Sequence, residues 1–110
     1  LRPVTANDGP FEIVPGSHRL TPERLRWEQT TANAAIRLQQ QPDVSGSFRI
    51  QENELEALGL PAPLSLPCQA NTLVLADVFA FHRRGAALSG RQRLALYGWN
   101  RPYPFLPFTW

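Results

Sequence analysis

Two histidines and a few arginines carry most of the chemistry open to this chain. His82 ends an apolar stretch, 78–82, and opens a polar loop, a usual position for an active-site ligand. On position alone, a half-buried imidazole bonded to backbone accounts for it as well. Arg93 shifts the balance. It lies eleven residues on, in the next strand-like segment. If the intervening loop closes a hairpin, His82 and the inward face of that segment line one cavity. A guanidinium aimed into apolar surroundings is costly unless an anion meets it, and its planar fork suits a carboxylate held bidentately. A metal-binding imidazole beside a carboxylate-binding guanidinium suggests iron chemistry with a keto-acid cosubstrate.

The elements that must hold these groups are readable in outline. Residues 71–81 are rich in Leu, Val and Phe and predict a buried strand, with a bend near Asp77 and a second strand after it. From Val78, alternation puts Ala80 and His82 on one face and Phe79 and Phe81 on the other. Residues 91–99 predict a second long strand, with Arg91, Arg93, Ala95, Tyr97 and Trp99 sharing a face. Upstream, Phe11, Glu12 and Ile13 alternate as a short strand running into a Pro15-Gly16 turn. Thr21-Pro22-Glu23 has the order of a helix start, with Thr21 as cap and Pro22 in the first turn. The helical pattern that follows, Leu25, Glu28, Ala32 and Ile36, is diluted by Thr30, Thr31 and Asn33. Residues 39–46 are polar loop, and 47–51 predict a short strand around Phe48 and Ile50. Residues 52–59 predict a two-turn helix, acidic at its start and stopped by Gly59. Pro61, Pro63 and Pro67 force extended backbone. The tail, 101–110, is a Pro and aromatic segment expected to pack over the domain by its rings.

Composition narrows the function classes. The chain has 110 residues, 43% hydrophobic and 18% charged, enough for one small domain and far from the make-up of a disordered chain. Its longest apolar runs fall well short of the roughly 20 residues needed to span a bilayer, so no membrane partner is expected. The single cysteine, Cys68, excludes a disulfide framework and points by default to a reducing, cytoplasmic compartment. Net charge is only +2, and the basic clusters Arg83-Arg84 and Arg91/Arg93 are short. Nucleic acid would want a longer basic stripe with interleaved aromatics. There is no Met and no Lys among the 110 residues, and the first residues are Leu1-Arg2-Pro3. The chain is therefore expected to be processed, trimmed or a piece of something longer.

Two segments give the chemistry a family. Residues 7–19, Asn-Asp-Gly-Pro-Phe-Glu-Ile-Val-Pro-Gly-Ser-His-Arg, resemble the "nGPl.vvPGSHr" signature of the phytanoyl-CoA dioxygenase family. Residues 71–82, continued through Arg93-Leu94-Ala95-Leu96-Tyr97, resemble that family's distal half, in the same order. The resemblance implies a mainly β fold: the C-terminal part of a double-stranded β-helix, a jelly-roll barrel, with short helices in a variable insertion at 21–64. It implies Fe(II) held by two histidines and a carboxylate, with His82 as the distal ligand and Arg93 anchoring 2-oxoglutarate. Arg91 is the rival anchor by a two-residue shift. Tyr97 and Trp99 share the face of Arg93 and become pocket-lining candidates for a small-molecule substrate, with core packing as the other reading. His18 falls in the PGSH turn, which shapes the site in the family without binding iron.

The chain also departs from the family. The first two ligands belong to an H-x-D or H-x-E triplet, and none occurs here: Arg19-Leu20 follow His18, and Arg83-Arg84 follow His82. Asp77, five residues before His82, falls on the opposite face of a straight strand. The resemblance thus implies a fragment that supplies one ligand of three. The parent would decarboxylate 2-oxoglutarate to succinate and hydroxylate a C–H bond of its substrate, while these residues alone would be inactive. The alternative is a non-catalytic jelly-roll module binding a carboxylated small molecule through Arg93. Unpaired strand edges would make either one prone to self-association.

Overall fold

The computed structural model describes residues 2–37 and 49–99. Its centre is a three-stranded antiparallel sheet that does not close on itself. β1 (Phe11–Ile13) lies in the middle, β2 (Leu64–Leu66) on one side and β3 (His82–Arg84) on the other. The registers pair Phe11 with Leu66 and Arg84, Glu12 with Ser65 and Arg83, and Ile13 with Leu64 and His82. Residues directly opposite share a face. One face therefore carries Phe11, Ile13, Leu64, Leu66, His82 and Arg84, and the other carries Glu12, Ser65 and Arg83. On that second face Arg83 Nε meets Glu12 Oε2 at 2.6 Å, which holds the guanidinium above its ordinary pKa. Single bridges extend the pairing, Val4 to Cys68 and Asp8 to Ala87.

Close approach of β1 and β3 depends on Gly85. Its N–H donates to the Pro10 carbonyl at 2.7 Å, and a Cβ there would stand 2.8 Å from Glu12 Oε1 and 3.0 Å from the Pro10 oxygen. The turn after β1 is the one the sequence predicts. Gly16 sits at φ 77°, in the left-handed region glycine tolerates.

Helix α1 (Pro22–Arg37) begins as expected, with the Arg24 N–H donating to Thr21 Oγ1 at 3.2 Å. Its inward face differs from the one the apolar residues suggest. Arg24 is buried, and Trp27, Glu28, Thr31, Ala32 and Ala35 are half-buried at helical spacing, while Leu25 and Ile36 face out. Helix α2 (Glu52–Ala57) is capped by its own Glu54, whose Oε2 accepts the Gln51 N–H at 2.7 Å. The other oxygen of that carboxylate accepts Trp27 Nε1 at 2.9 Å and so ties the two helices together.

The core is small: Val14, Leu55 and Ala80 are its buried apolar residues among those described, with Pro10 and Ser17 fully enclosed beside them. Asp8 is buried too. Its Oδ2 accepts from the Thr5 backbone at 2.8 Å and from the Thr5 hydroxyl at 2.6 Å. These bonds, with Arg2 and Arg91 at 3.8 and 3.9 Å, hold its carboxyl below the ordinary value.

Two long segments do not ladder as the sequence predicts. Residues 72–77 have no regular structure and no strand partner, 78–79 turn, and residues 91–99 run free of any ladder. The strand containing His82 pairs with β1, not with 91–99, so the hairpin from His82 to Arg93 is not formed. Leu73, Leu75, Leu96 and Trp99 are each at least 80% exposed. The strand predicted over 47–51 is not formed at 49–51, and the rest of that segment, the loop at 39–46 and the tail at 101–110 lie outside the described residues.

Candidate functional site

The site begins with the PGSH turn. Ser17, 1% exposed, donates its hydroxyl to the Val14 carbonyl at 2.7 Å and accepts the Phe81 N–H at 2.8 Å. The Val14 N–H in turn donates to the Phe81 carbonyl at 2.9 Å. The turn after β1 and the residues leading into β3 thereby become one unit.

Helix α1 closes that unit from the other side. The Arg24 guanidinium donates from Nη1 to the Ser17 carbonyl, from Nη2 to the Phe79 carbonyl at 3.0 Å and from Nε to Glu28 at 2.9 Å. Its Cζ lies 3.9 Å from the centroid of the Phe81 ring. Trp27 meets the same ring edge-on at 5.3 Å. A buried charge is costly unless it is paired and hydrogen-bonded, and this one is spread over two carbonyls, a carboxylate and a π face. Stacking of this kind contributes about 0.5–2 kcal/mol.

All six backbone polar groups of residues 79–81 are engaged. The Phe79 N–H donates to Asp77 Oδ1 at 2.9 Å, and the Ala80 N–H to the Asp77 carbonyl at 3.1 Å. The Phe79 carbonyl takes Arg24, and Phe81 is held at both ends by Ser17 and Val14. The Ala80 carbonyl takes the His82 ring, Nδ1 to oxygen at 2.8 Å. A carbonyl oxygen only accepts, so Nδ1 carries the hydrogen in this contact and neutral His82 keeps its free lone pair on Nε2. The His82 ring is exposed and tilted against Phe11, centroids 5.5 Å apart. An imidazole held through Nδ1 by a backbone carbonyl, with its lone pair left on Nε2, is an arrangement metal-binding histidines use.

The other candidates fall elsewhere. Arg93 lies against Tyr97, donating from Nη2 to the phenol oxygen with its Cζ 6.0 Å from the ring. It lines an open cleft of about 490 Å³ with Arg2, Gly90, Gln92 and Leu94, and His82 does not reach that cleft. Arg91 is turned toward Asp8. Tyr97 and Trp99 are 72% and 82% exposed. His18 is exposed on the turn, and Asp77 is spent on the backbone of residues 79–80.

The donors near His82 do not complete an iron centre. Phe11, Ile13 and Arg84 share its face, Glu12 is on the other, and among the described residues no group of three His, Cys, Asp or Glu side chains could hold a metal. Nor is any described helix long and apolar enough to cross a membrane.

Sequence reasoning missed Arg24 and Ser17 as site-building residues. The only signal for Arg24 was its place in the first turn of a helix whose apolar stripe was weak. Ser17 could have been found as the small hydroxyl after a Pro-Gly turn. Comparison of the chain with family models, with curated proteins and with solved structures finds no match.

Proposed function

We propose that this chain is the C-terminal part of an Fe(II)- and 2-oxoglutarate-dependent oxygenase of the phytanoyl-CoA dioxygenase type. In this reading His82 is one metal ligand, Arg93 anchors the cosubstrate and the remaining ligands come from outside these residues. One observation carries the proposal: the two segments that resemble the family are joined by Ser17 and Phe81, and they lead into an exposed His82 whose Nδ1 is held by the Ala80 carbonyl, leaving Nε2 as the nitrogen with a lone pair for a metal. The exposed apolar stretches 72–77 and 91–99 support it as well, being suited to a jelly-roll barrel whose neighbouring strands lie elsewhere. Arg91 is opposed by Asp8, which leaves Arg93 the better placed guanidinium for a carboxylate.

The test uses the protein as its gene encodes it, supplied with Fe(II) and 2-oxoglutarate, with succinate release as the readout. His82→Ala is expected to abolish release, and Arg93→Ala to raise the 2-oxoglutarate requirement. The 110 residues alone are expected to release none. A His82→Ala protein that still turns over overturns the reading.

A second reading, a non-catalytic module binding a carboxylated small molecule, draws on the Arg2–Gln92–Arg93 cleft being separate from His82. It requires dicarboxylate binding that is indifferent to Fe(II) and to His82→Ala.

A further inference from the structure

We infer that Arg24 is a positioning residue for His82: from helix α1 it fixes the backbone of 79–81, and that backbone fixes the imidazole. The inference rests on the reading of His82 as a metal ligand for its purpose, though not for its geometry. The Ala80 carbonyl that accepts from His82 Nδ1 lies between the two residues Arg24 grips. Nη2 holds the Phe79 carbonyl at 3.0 Å, and the guanidinium plane covers Phe81, its Cζ 3.9 Å from the ring centroid. Through Nη1 it also holds the Ser17 carbonyl, whose residue binds the Phe81 N–H.

A helix needs no buried arginine to stand on a sheet; an apolar side chain does that without the desolvation cost of a charge. What the guanidinium adds is direction, because its fork bonds two carbonyls on separate segments at once. Lysine, a single point charge on a flexible stem, cannot make the same set. Groups that orient a ligating histidine commonly change metal affinity by about 10–100-fold when removed.

The experiment measures the His82 tautomer by ¹⁵N–¹H NMR of the ring, at a pH above the imidazole range. Wild type is compared with Arg24→Lys and Arg24→Gln, and the Val14 and Leu55 methyl signals report the core. With the core intact, the Nδ1–H form is expected to be dominant in wild type and to become the minor form in both variants. A folded variant that keeps the wild-type tautomer overturns the inference. So does loss of the fold in both variants, since Arg24 would then be a core residue and no more. Co(II) added to the wild-type sample reads the metal assignment separately. A tautomer that depends on Arg24, with His82 signals unbroadened by Co(II), upholds the positioning and removes the metal role.

Discussion

The Ser17 hydroxyl accepts the Phe81 N–H at 2.8 Å across a separation of 64 residues, and the same oxygen donates to the Val14 carbonyl. One small side chain thus makes the turn after β1 and the approach to β3 a single object. The hydroxyl itself is shut off from solvent, because Ser17 is enclosed.

Ser17→Ala is therefore expected to destabilise the protein by about 1–3 kcal/mol, the cost of leaving the Val14 carbonyl and the Phe81 N–H without their shared partner. Urea unfolding measures it, with the slope unchanged if only stability has moved. A loss below about 0.5 kcal/mol, the range of ordinary surface substitutions, would show the bond to be dispensable.

Gly85 and Gly98 make a matched pair. Alanine at 85 would press on the Glu12 carboxylate and the Pro10 carbonyl, and the second cannot move without disturbing the bond Gly85 makes to it. Gly85→Ala is expected to cost roughly 1–3 kcal/mol. Gly98→Ala meets nothing within 4 Å and should change stability by less than about 0.5 kcal/mol. Thermal melts of the two variants side by side decide it, and equal losses would contradict the close approach of β1 and β3.

Acid should act through Asp8. Its folded carboxyl lies below the ordinary 3.8, first because of the Thr5 hydroxyl and then the Thr5 N–H. A depressed folded value means the stabilisation is complete above the unfolded value and is lost as pH falls through the folded one. The melting temperature of wild type should therefore drop more steeply below about pH 3.8 than that of Asp8→Asn. Parallel curves for the two would remove Asp8 from the acid response.

Residues 72–77 and 91–99 present unladdered backbone and exposed apolar side chains together, a combination able to pair with other chains. The chain on its own is expected to associate with rising concentration in the micromolar-to-millimolar range. Sedimentation velocity reads the effect, and Leu75→Lys with Leu96→Lys should reduce it, as lysines on natural edge strands do. A wild-type chain that stays monomeric throughout would show these segments to be covered.

What the sequence made legible is what is local. The Pro15-Gly16 turn, the Thr21 cap and the stop of α2 just before a left-handed Gly59 each follow from a few adjacent residues, and each is found. The face of α1 is not legible from apolar spacing, because the buried position belongs to Arg24, whose cost is offset by carbonyls from other segments. Hydropathy points instead to Leu25 and Ile36, which face outward. β2 lies among prolines that mark it only as extended chain, since a ladder is set by its partner and not by its own residues. The same reason displaced the pairing of His82. Composition marks 91–99 as strand, but the described strand β3 meets β1, far earlier in the chain. Of the site, His82 and the PGSH turn were visible as types and spacing, while the helix that grips the backbone between them was not.

The clamp also sets a timetable. Synthesis delivers β1, the PGSH turn and α1 well before Phe79–His82, so Ser17 and Arg24 must wait on the ribosome for partners still to be added. Closing a loop of that size is an entropic cost met only once the late segment arrives. The imidazole is therefore set in place only after residues 79–82 have been added, and a product that stops short of residue 79 holds every part of the grip and nothing to grip.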